Sequence, residues 1–468
     1  MPNKRIIAFL LVVCMMAVLM SGCVRIKIEE ENGVKKGEEI IGKNEENEKE
    51  ADSLIPEKDE AEINRLRAEL DESAVVKAEL AEACGFEDFD KRTSIREEYP
   101  LDEEFSDAVI EFSRVTTSAI DNDSENLIYS PLSLYYALSI LAYGTSGDAE
   151  AELTALLGCE KDELPANAEA LYRHIYDDNE MGKTQISNSL WVDRNKGITF
   201  KDEWINKTSK SFFASVYDVD FNDRDTGDII GQWISDTTGG QLEYSFNPDP
   251  AQVMNIINSV NFSDQWTDWF DESLTEKAEF TNRDGSKTEC DFMNKEEMGS
   301  FYKTDDYQMC SLSLKNGGSV TFILPAGDVD PQTLLYDEGV YGRIFDWLEY
   351  DESRGNGIVT WKIPKFSYQG DLNLVDALRK LDVNSVFDTD DSMPDISDDP
   401  LFVSSVIQKA KVSVNEKGIE AAAYTEISYC GSAMPTDTCE MILDRPFAFI
   451  VTARNNIPIF VGVVNELN

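Results

Sequence analysis

The residues of this chain whose types suggest chemistry lie near its C-terminal end, in the sequence EKGIEAAAYTEISYCGSAMP of residues 416–435. The second part of this segment, CGSAMP at residues 430–435, combines small residues with glycine and proline. Such a composition is typical of exposed chain that proteases cut. The chemistry predicted here is therefore attack by a protease on the backbone of this segment, and not catalysis by its side chains.

The first part of the same segment alternates like a β-strand. One face carries Ile419, Ala421, Ala423, Thr425, Ile427 and Tyr429, and the other carries Glu420, Ala422, Tyr424, Glu426 and Ser428. Successive side chains of a strand point to opposite sides, so the first face can be buried while the glutamates meet solvent. The same segment has the pattern of an inner strand and the composition of an exposed loop. We therefore predict that it adopts two conformations, one exposed and one inserted in a sheet.

Catalytic and metal-binding residues are sparse in the rest of the chain. The single histidine, His174, argues against a Ser-His-Asp or Cys-His hydrolase, and its surroundings, LYRHIYDD, predict a surface position on the polar side of a helix. The acidic residues between Asp388 and Asp399 lack the ligand spacing of a calcium loop and predict a solvated loop. The sequence predicts no enzyme, no metal site and no cofactor.

Composition narrows the class of partner. The chain has 468 residues, 42% of them hydrophobic, which is enough for one large core, and its formal net charge is −48. Such an acidic surface argues against nucleic acid as a partner and against docking on an anionic membrane face.

The N-terminal sequence MPNKRIIAFLLVVCMMAVLMSGC has the parts of an export signal: basic Lys4 and Arg5, an apolar run over residues 6–20, and small residues before Cys23. Its end resembles the lipobox of bacterial lipoproteins, which implies a signal peptide at residues 1–22 and a lipid on Cys23 that holds the chain at the cell surface. The alternatives are an uncleaved anchor, or cleavage without a lipid.

Two further segments follow this signal. Residues 23–100 are acidic and poor in aromatic side chains, and predict a partly disordered spacer with an amphipathic helix at residues 59–84. Residues 101–468 contain the apolar patterns of a folded domain. The six cysteines after Cys23 lack the spacing of a metal site and predict buried free thiols, although a disulfide between Cys430 and Cys439 would close a small ring.

Both periodicities occur in residues 101–468. Helical patterns cover residues 105–120, 133–143 and 374–381, while SVTFILP, VTWKIPKF, AFIVTA and IFVGVV are short β-branched and aromatic runs. Because the strands cluster after Asn255 and most helices come earlier, we predict an α+β fold with a cluster of helices and large mixed β-sheets.

A series of sequence blocks in this domain resembles the serpin family. They are NLIYSPLSLYYALSILAYGTSGDAEAEL from Asn126, ISNSLWVD, IIGQWISDTTGGQLEYSF, INSVNFSDQWTDWF, VTWKIPKFSYQGDLNLVDALRKLDV, VSVNEKGIEAAAYT, DRPFAFIV and IFVGVVN. The resemblance implies a serpin fold with an exposed reactive-centre loop at about residues 416–440. It also implies suicide inhibition of a serine protease, in which the cut loop inserts into the main sheet and traps the covalently bound protease.

Matching positions imply roles for individual residues. The hinge of the loop comprises Glu416, Gly418, Ile419, Glu420, Ala421, Ala422, Ala423 and Thr425. Residues implied in the opening of the sheet are Ser130, Ser133, Asn258, Trp266 and Gln408, the last at a position where many members have histidine. The three alanines favour inhibition, whereas Ile419 and Gln408 leave open a non-inhibitory serpin that acts as a cell-surface binding or structural protein.

The family's usual loop length places the reactive bond between Ser432 and Ala433, with Tyr429 and Met434 as alternatives. Small residues on both sides of the bond favour an elastase-like or subtilisin-like protease, and Tyr429 would favour a chymotrypsin-like one. No Arg or Lys occurs between Gly418 and Asp444, which argues against trypsin-like targets. The expected partners are thus a serine protease and, through the lipid, a membrane, with the inhibitor itself a monomer.

Overall fold

The computed structural model of the protein describes residues 58–121, 125–244, 246–345, 351–388, 393–419 and 437–467. The predicted signal peptide, Cys23, and loop residues 420–435 lie outside the described residues. In the described ranges, no helix has both the length and the apolar composition needed to cross a membrane.

The helices of the described residues lie mainly in the N-terminal half of the fold. They are α1 Glu60–Ser73, α2 Phe89–Glu98, α3 Glu103–Ala119, α4 Pro131–Ala142, α5 Gly147–Leu157, α6 Leu164–Ile175, α7 Asp202–Ser211, α8 Asp225–Thr237, α9 Pro331–Leu334, α10 Glu338–Phe345 and α11 Val375–Lys380.

The strands become frequent after Met254. They are β1 Ala74–Val76, β2 Leu127–Tyr129, β3 Asp177–Asn179, β4 Gly182–Val192, β5 Ala214–Asp218, β6 Met254–Gln265, β7 Glu276–Thr281, β8 Lys287–Lys303, β9 Tyr307–Ser313, β10 Ser319–Pro325, β11 Arg354–Pro364, β12 Phe366–Asn373, β13 Ile407–Asn415, β14 Gly418–Ile419, β15 Asp437–Ile442, β16 Phe447–Thr452 and β17 Pro458–Val464.

Two sheets organise these strands. The first has the order β1-β5-β4-β6-β14-β13-β12, with β3 paired to β4, and the second has the order β15-β11-β8-β9-β10-β16-β17-β2, with β7 paired to β8. Most pairs are antiparallel, while β4 with β5 and β11 with β15 are parallel. The predicted α+β fold with large mixed sheets is confirmed.

The core follows from continuous apolar runs. Every residue of β16 and β17 is buried, and nearly every residue of α4 is buried as well. Runs that are apolar on all sides are typical of elements covered on both faces. The predicted strand SVTFILP coincides with β10, and the predicted helix at residues 133–143 begins two residues earlier, where Ser130 accepts a hydrogen bond from the Ser133 amide.

The segment before residue 101 contains the predicted helix in a shorter form, as α1, and adds β1 and α2, which the sequence did not predict. The helix expected at residues 59–84 ends at Ser73, because the β-branched Val75 and Val76 continue as strand β1, which pairs with the outer edge of β5. Helix α1 packs beside α8, where the Arg67 guanidinium binds the Asp236 carboxylate and Leu66 is fully buried. Residues 58–100 are therefore part of the packed structure where they are described.

Removal of the Leu66 side chain should destabilise this packing. We expect Leu66→Ala to lower the free energy of unfolding by about 2–5 kcal/mol, because it leaves a cavity where a fully buried side chain was. Urea unfolding of the purified chain measures this change. Leu80→Ala is the matched control, since Leu80 is 44% exposed, and an equal loss of stability in both variants would contradict the packing of α1.

Candidate functional site

The candidate site is the place where the short strand β14 lies between β6 and β13. Gly418 and Ile419 pair antiparallel with Gln265 and Asp264 of β6, and with Asn415 and Val414 of β13. Gly418 has φ of +154°, and a Cβ at this position would lie 2.1 Å from the Asp264 carbonyl oxygen. Only glycine fits this approach. The chain thus enters the first sheet for two residues before the undescribed loop begins at residue 420.

Below this entry point β6 and β13 are not hydrogen-bonded to each other. Both are joined to β14 but not to one another in the order of the sheet. A cavity of about 380 Å³ opens along their lower halves, lined among others by Ile256, Asn258, Ile407 and Gln408. Two strands of one sheet with such a cavity between their lower halves provide room for a further strand.

The upper ends of β6 and β13 are joined through Trp266. Its indole is 1% exposed, and its Nε1 donates to the Asn415 carbonyl oxygen at 2.9 Å, while its backbone NH donates to the Lys417 carbonyl oxygen at 2.9 Å. These bonds tie the end of β6 to the turn between β13 and β14. Trp266 therefore holds the start of the loop against the first sheet.

Glu416 provides a second set of contacts that hold the hinge in place. Its carboxylate accepts from Thr275 Oγ1 at 2.9 Å and forms an ion pair with Lys365 Nζ at 3.0 Å. Burial opposes ionisation, but the hydrogen bonds from the backbone, Lys365 and Thr275 together lower the pKa of Glu416. Sequence reasoning missed Lys365 and Thr275, because they are far from the hinge along the chain.

Reversal of the Glu416 charge should weaken the hinge. We expect Glu416→Lys to lower the free energy of unfolding by about 1–3 kcal/mol, because two ammonium groups would then face each other and Thr275 would lose its acceptor. The double variant Lys365→Glu with Glu416→Lys restores an opposite pair and should recover part of the loss. Urea unfolding of the three proteins measures this, and a double variant that is less stable than Glu416→Lys alone would contradict the ion pair.

Two amide side chains line the cavity along the lower halves of β6 and β13. Gln408 accepts from the Ser130 backbone NH at 2.7 Å and donates to the Ser130 carbonyl oxygen at 2.8 Å, which binds β13 to the start of α4. Across the space, Asn258 donates to the Asn188 side chain of β4. The buried Asn258 Oδ1 has no hydrogen-bond partner among the described residues, so an acceptor faces this space without a donor.

The structure thus places the predicted sheet-opening residues at two levels along β6 and β13. Trp266 lies at the upper ends of these strands, whereas Ser133, Asn258 and Gln408 line the cavity along their lower halves, where Ser130 is hydrogen-bonded to Gln408. Glu416, Gly418 and Ile419 lie at the upper ends too, and Ile419 is 2% exposed. The predicted hinge residues Glu420, Ala421, Ala422, Ala423 and Thr425, and the predicted bond residues Tyr429, Ser432, Ala433 and Met434, lie outside the described residues.

Cys439 and His174 lie outside this site. Cys439, at the far end of the loop in β15, is a buried free thiol, and burial raises its pKa to about 11, while Cys430 lies outside the described residues. His174 is half-buried rather than on the surface, because the Tyr99 carbonyl oxygen and the Asn455 side chain cover its two ring nitrogens. Over the described ranges, no three Cys, His, Asp or Glu residues are placed to hold a metal ion.

Comparisons with known proteins agree with this geometry. Residues 108–467 match the family model described as "Serpin (serine protease inhibitor)". The chain is 26% identical to Serpin-ZX of Arabidopsis thaliana over 73% of its own length and 92% of that protein, and 28% identical to Iripin-3 of Ixodes ricinus over 73% and 89%. The crystal structure of the thermophilic serpin Tengpin in its native state superposes with a TM-score of 0.70 at 23% identity, covering 85% of this chain and 98% of that one.

Proposed function

Because the chain belongs to the serpin family of protease inhibitors, we propose that it traps a serine protease by inserting its own cleaved loop between β6 and β13. The observation that carries this proposal is β14, whose two residues already lie between the upper ends of β6 and β13. The protease would attack the loop, and the loop would then continue β14 downward as a new central strand.

The register of β14 supports insertion of the following residues. Antiparallel partners step in opposite directions, so the pairing of β14 can be extended residue by residue. Ala421 would then lie between Phe262 and Val412. Ala423 would lie between Val260 and Ala410. Val412 and Ala410 are buried, so the odd-numbered loop residues would point into the core. Small alanine side chains suit this face, because they can enter between packed strands without overpacking.

The same register supports a role for the amides at the lower end. Thr425 would arrive between Asn258 and Gln408. Its hydroxyl can donate to the Asn258 oxygen that has no partner in the described structure. Insertion to residue 425 would thus satisfy a buried acceptor for which the described residues provide no donor.

We infer an elastase-like or subtilisin-like protease as the target, from the small residues Ser432 and Ala433 at the proposed reactive bond. The experiment mixes the purified chain with one protease of each kind, and looks for a complex that survives SDS while the released C-terminal peptide is weighed. A covalent complex and a peptide that begins at Ala433 are expected. Cleavage without a complex would overturn the proposal and favour a non-inhibitory binding protein.

We also propose that the inhibitor is a monomer held at the outer cell surface by a lipid on Cys23, since the N-terminal sequence resembles a lipobox. Wild-type chain should fractionate with membranes and take up a palmitate analogue, and Cys23→Ser should do neither. Equal membrane retention of the two proteins would contradict the lipid, and a doubled mass in light scattering of the soluble form would contradict the monomer.

A further inference from the structure

A buried carboxylate lies at the entry point of the loop and is not used by the mechanism above. Asp264 is 2% exposed and is the residue of β6 that pairs with Ile419. Their side chains lie on the same face of the sheet, because directly opposed residues of adjacent strands share a face. Asp264 is also flanked by Gly182 on β4, whose Cβ position would be only 2.8 Å from the Asp264 Cα. The carboxylate is thus enclosed where β6 meets the loop.

Asp264 connects β6 to the turn between β9 and β10. Its Oδ2 accepts from the Asn316 backbone NH at 3.1 Å, and its Oδ1 accepts from the Gln265 backbone NH at 2.8 Å. The Lys315 backbone NH donates to the Gln265 carbonyl oxygen nearby, at 2.9 Å. Because Asp264 is paired with Ile419, separation of β6 from β14 uncovers one side of this carboxylate, while the bonds to the turn between β9 and β10 hold the other side.

We propose that Asp264 is a positioning residue for loop insertion: its enclosure while β6 is closed on β14 disfavours the charged carboxylate, so that ionisation of Asp264 favours opening. This inference rests on the proposed function, because it concerns the regulation of the same entry point. The charged form of a carboxylate is disfavoured by burial and gains solvation when the strands separate, so the open state prefers the ionised form.

Electrostatics agree with this assignment. The pKa of Asp264 is raised to about 7, mainly by burial and to a smaller extent by the nearby Asp177 carboxylate, while the hydrogen bonds from Asn316 and Gln265 and the charge of Arg454 oppose the rise. Arg92 and Arg454 both pair with Asp177, on its two oxygens. The other charged groups of the adjoining elements are engaged elsewhere: Lys315 lies over the Trp269 ring, Lys183 pairs with Asp178, and Lys417 lies 3.9 Å from Glu272.

The direction of the pH effect follows from linkage. Between the ordinary aspartate pKa of about 4 and pH 7, the closed state holds a proton that the open state loses. Rising pH therefore favours opening. The equilibrium constant for opening rises by at most about tenfold per pH unit when Asp264 is fully solvated in the open state, and the effect levels off above pH 7.

Hydrogen exchange of the full chain at pH 5 to 8 tests this proposal without a protease. After correction for the intrinsic exchange rate, peptides that contain the end of β6 and β14 should open more often as pH rises to 7 in the wild type. In Asp264→Asn, which has no titrating group there, this opening should become independent of pH. The exposed Asp268→Asn on the same segment is the control and should keep the wild-type profile.

The possible outcomes distinguish a failure of this inference from a failure of the proposed function. If the opening frequency of the wild type stays constant or falls as pH rises, the role of Asp264 is refuted. This result does not depend on whether any variant folds. A pH profile unchanged in Asp264→Asn would refute this role as well. The expected exchange profile in a chain that forms no covalent complex with any protease would support the role of Asp264 in opening and refute the proposed inhibition.

Discussion

Ala423→Glu is expected to turn the protein from an inhibitor into a substrate: a target protease should cut the loop and leave without forming an SDS-stable complex. The register of β14 places residue 423 between Val260 and Ala410 after insertion, on the face that points into the core. A buried carboxylate without a partner costs on the order of several kcal/mol. Because each 1.4 kcal/mol is a factor of ten in rate, insertion would become slower than release of the protease.

Ala422→Glu is the matched control for this prediction. After insertion in this register, residue 422 would point to the opposite face and would pair with Asn261 and Lys411, so that its carboxylate could approach the Lys411 ammonium group. We expect this variant to form the complex with an unchanged number of inhibitor molecules per protease. The stoichiometry of inhibition and SDS gels measure both variants, and complex formation by Ala423→Glu at the wild-type stoichiometry would refute insertion in this register.

The sequence predicts the fold class well because its signals are local. The continuous apolar runs of β10, β16 and β17 require strands covered on both faces, whatever their partners are. Alternation likewise predicts that Ile419 points inward, and the residue is 2% exposed. The packed segment before residue 101 is harder to predict, since only a few apolar residues of an otherwise polar helix, such as Leu66 and Leu70, contact the rest of the fold.

The parts of the candidate site that the sequence does not predict depend on contacts between distant residues. The Glu416 hinge is fixed by Lys365 and Thr275, and nothing in the pattern around them marks them as its partners. Asp264 lies in an alternating strand where an acidic residue would ordinarily indicate the solvent side. Its burial follows from the Asn316 turn, which belongs to the other sheet and covers the carboxylate only after both sheets have formed.

Ser432→Arg should give the protein activity against a trypsin-like protease that the wild type lacks. The wild-type sequence offers such a protease no Arg or Lys between Gly418 and Asp444, and the variant offers one on the N-terminal side of the proposed reactive bond. Recognition of a single side chain in a specificity pocket can change the rate of attack by several orders of magnitude when the pocket holds a charged partner. We therefore expect trypsin to be trapped in an SDS-stable complex, with release of a peptide that begins at Ala433.

The position of the new arginine also tests the length of loop that insertion requires. Trapping succeeds only when the strand between Ile419 and the cut can insert before the bound protease is released. Gly431→Arg is the matched variant, because it presents the same side chain one residue nearer the hinge. If residue 432 is the right position, trypsin should be trapped with fewer inhibitor molecules per protease by Ser432→Arg than by Gly431→Arg. Cleavage of both variants after the arginine without any complex would instead move the reactive bond to Tyr429 or Met434.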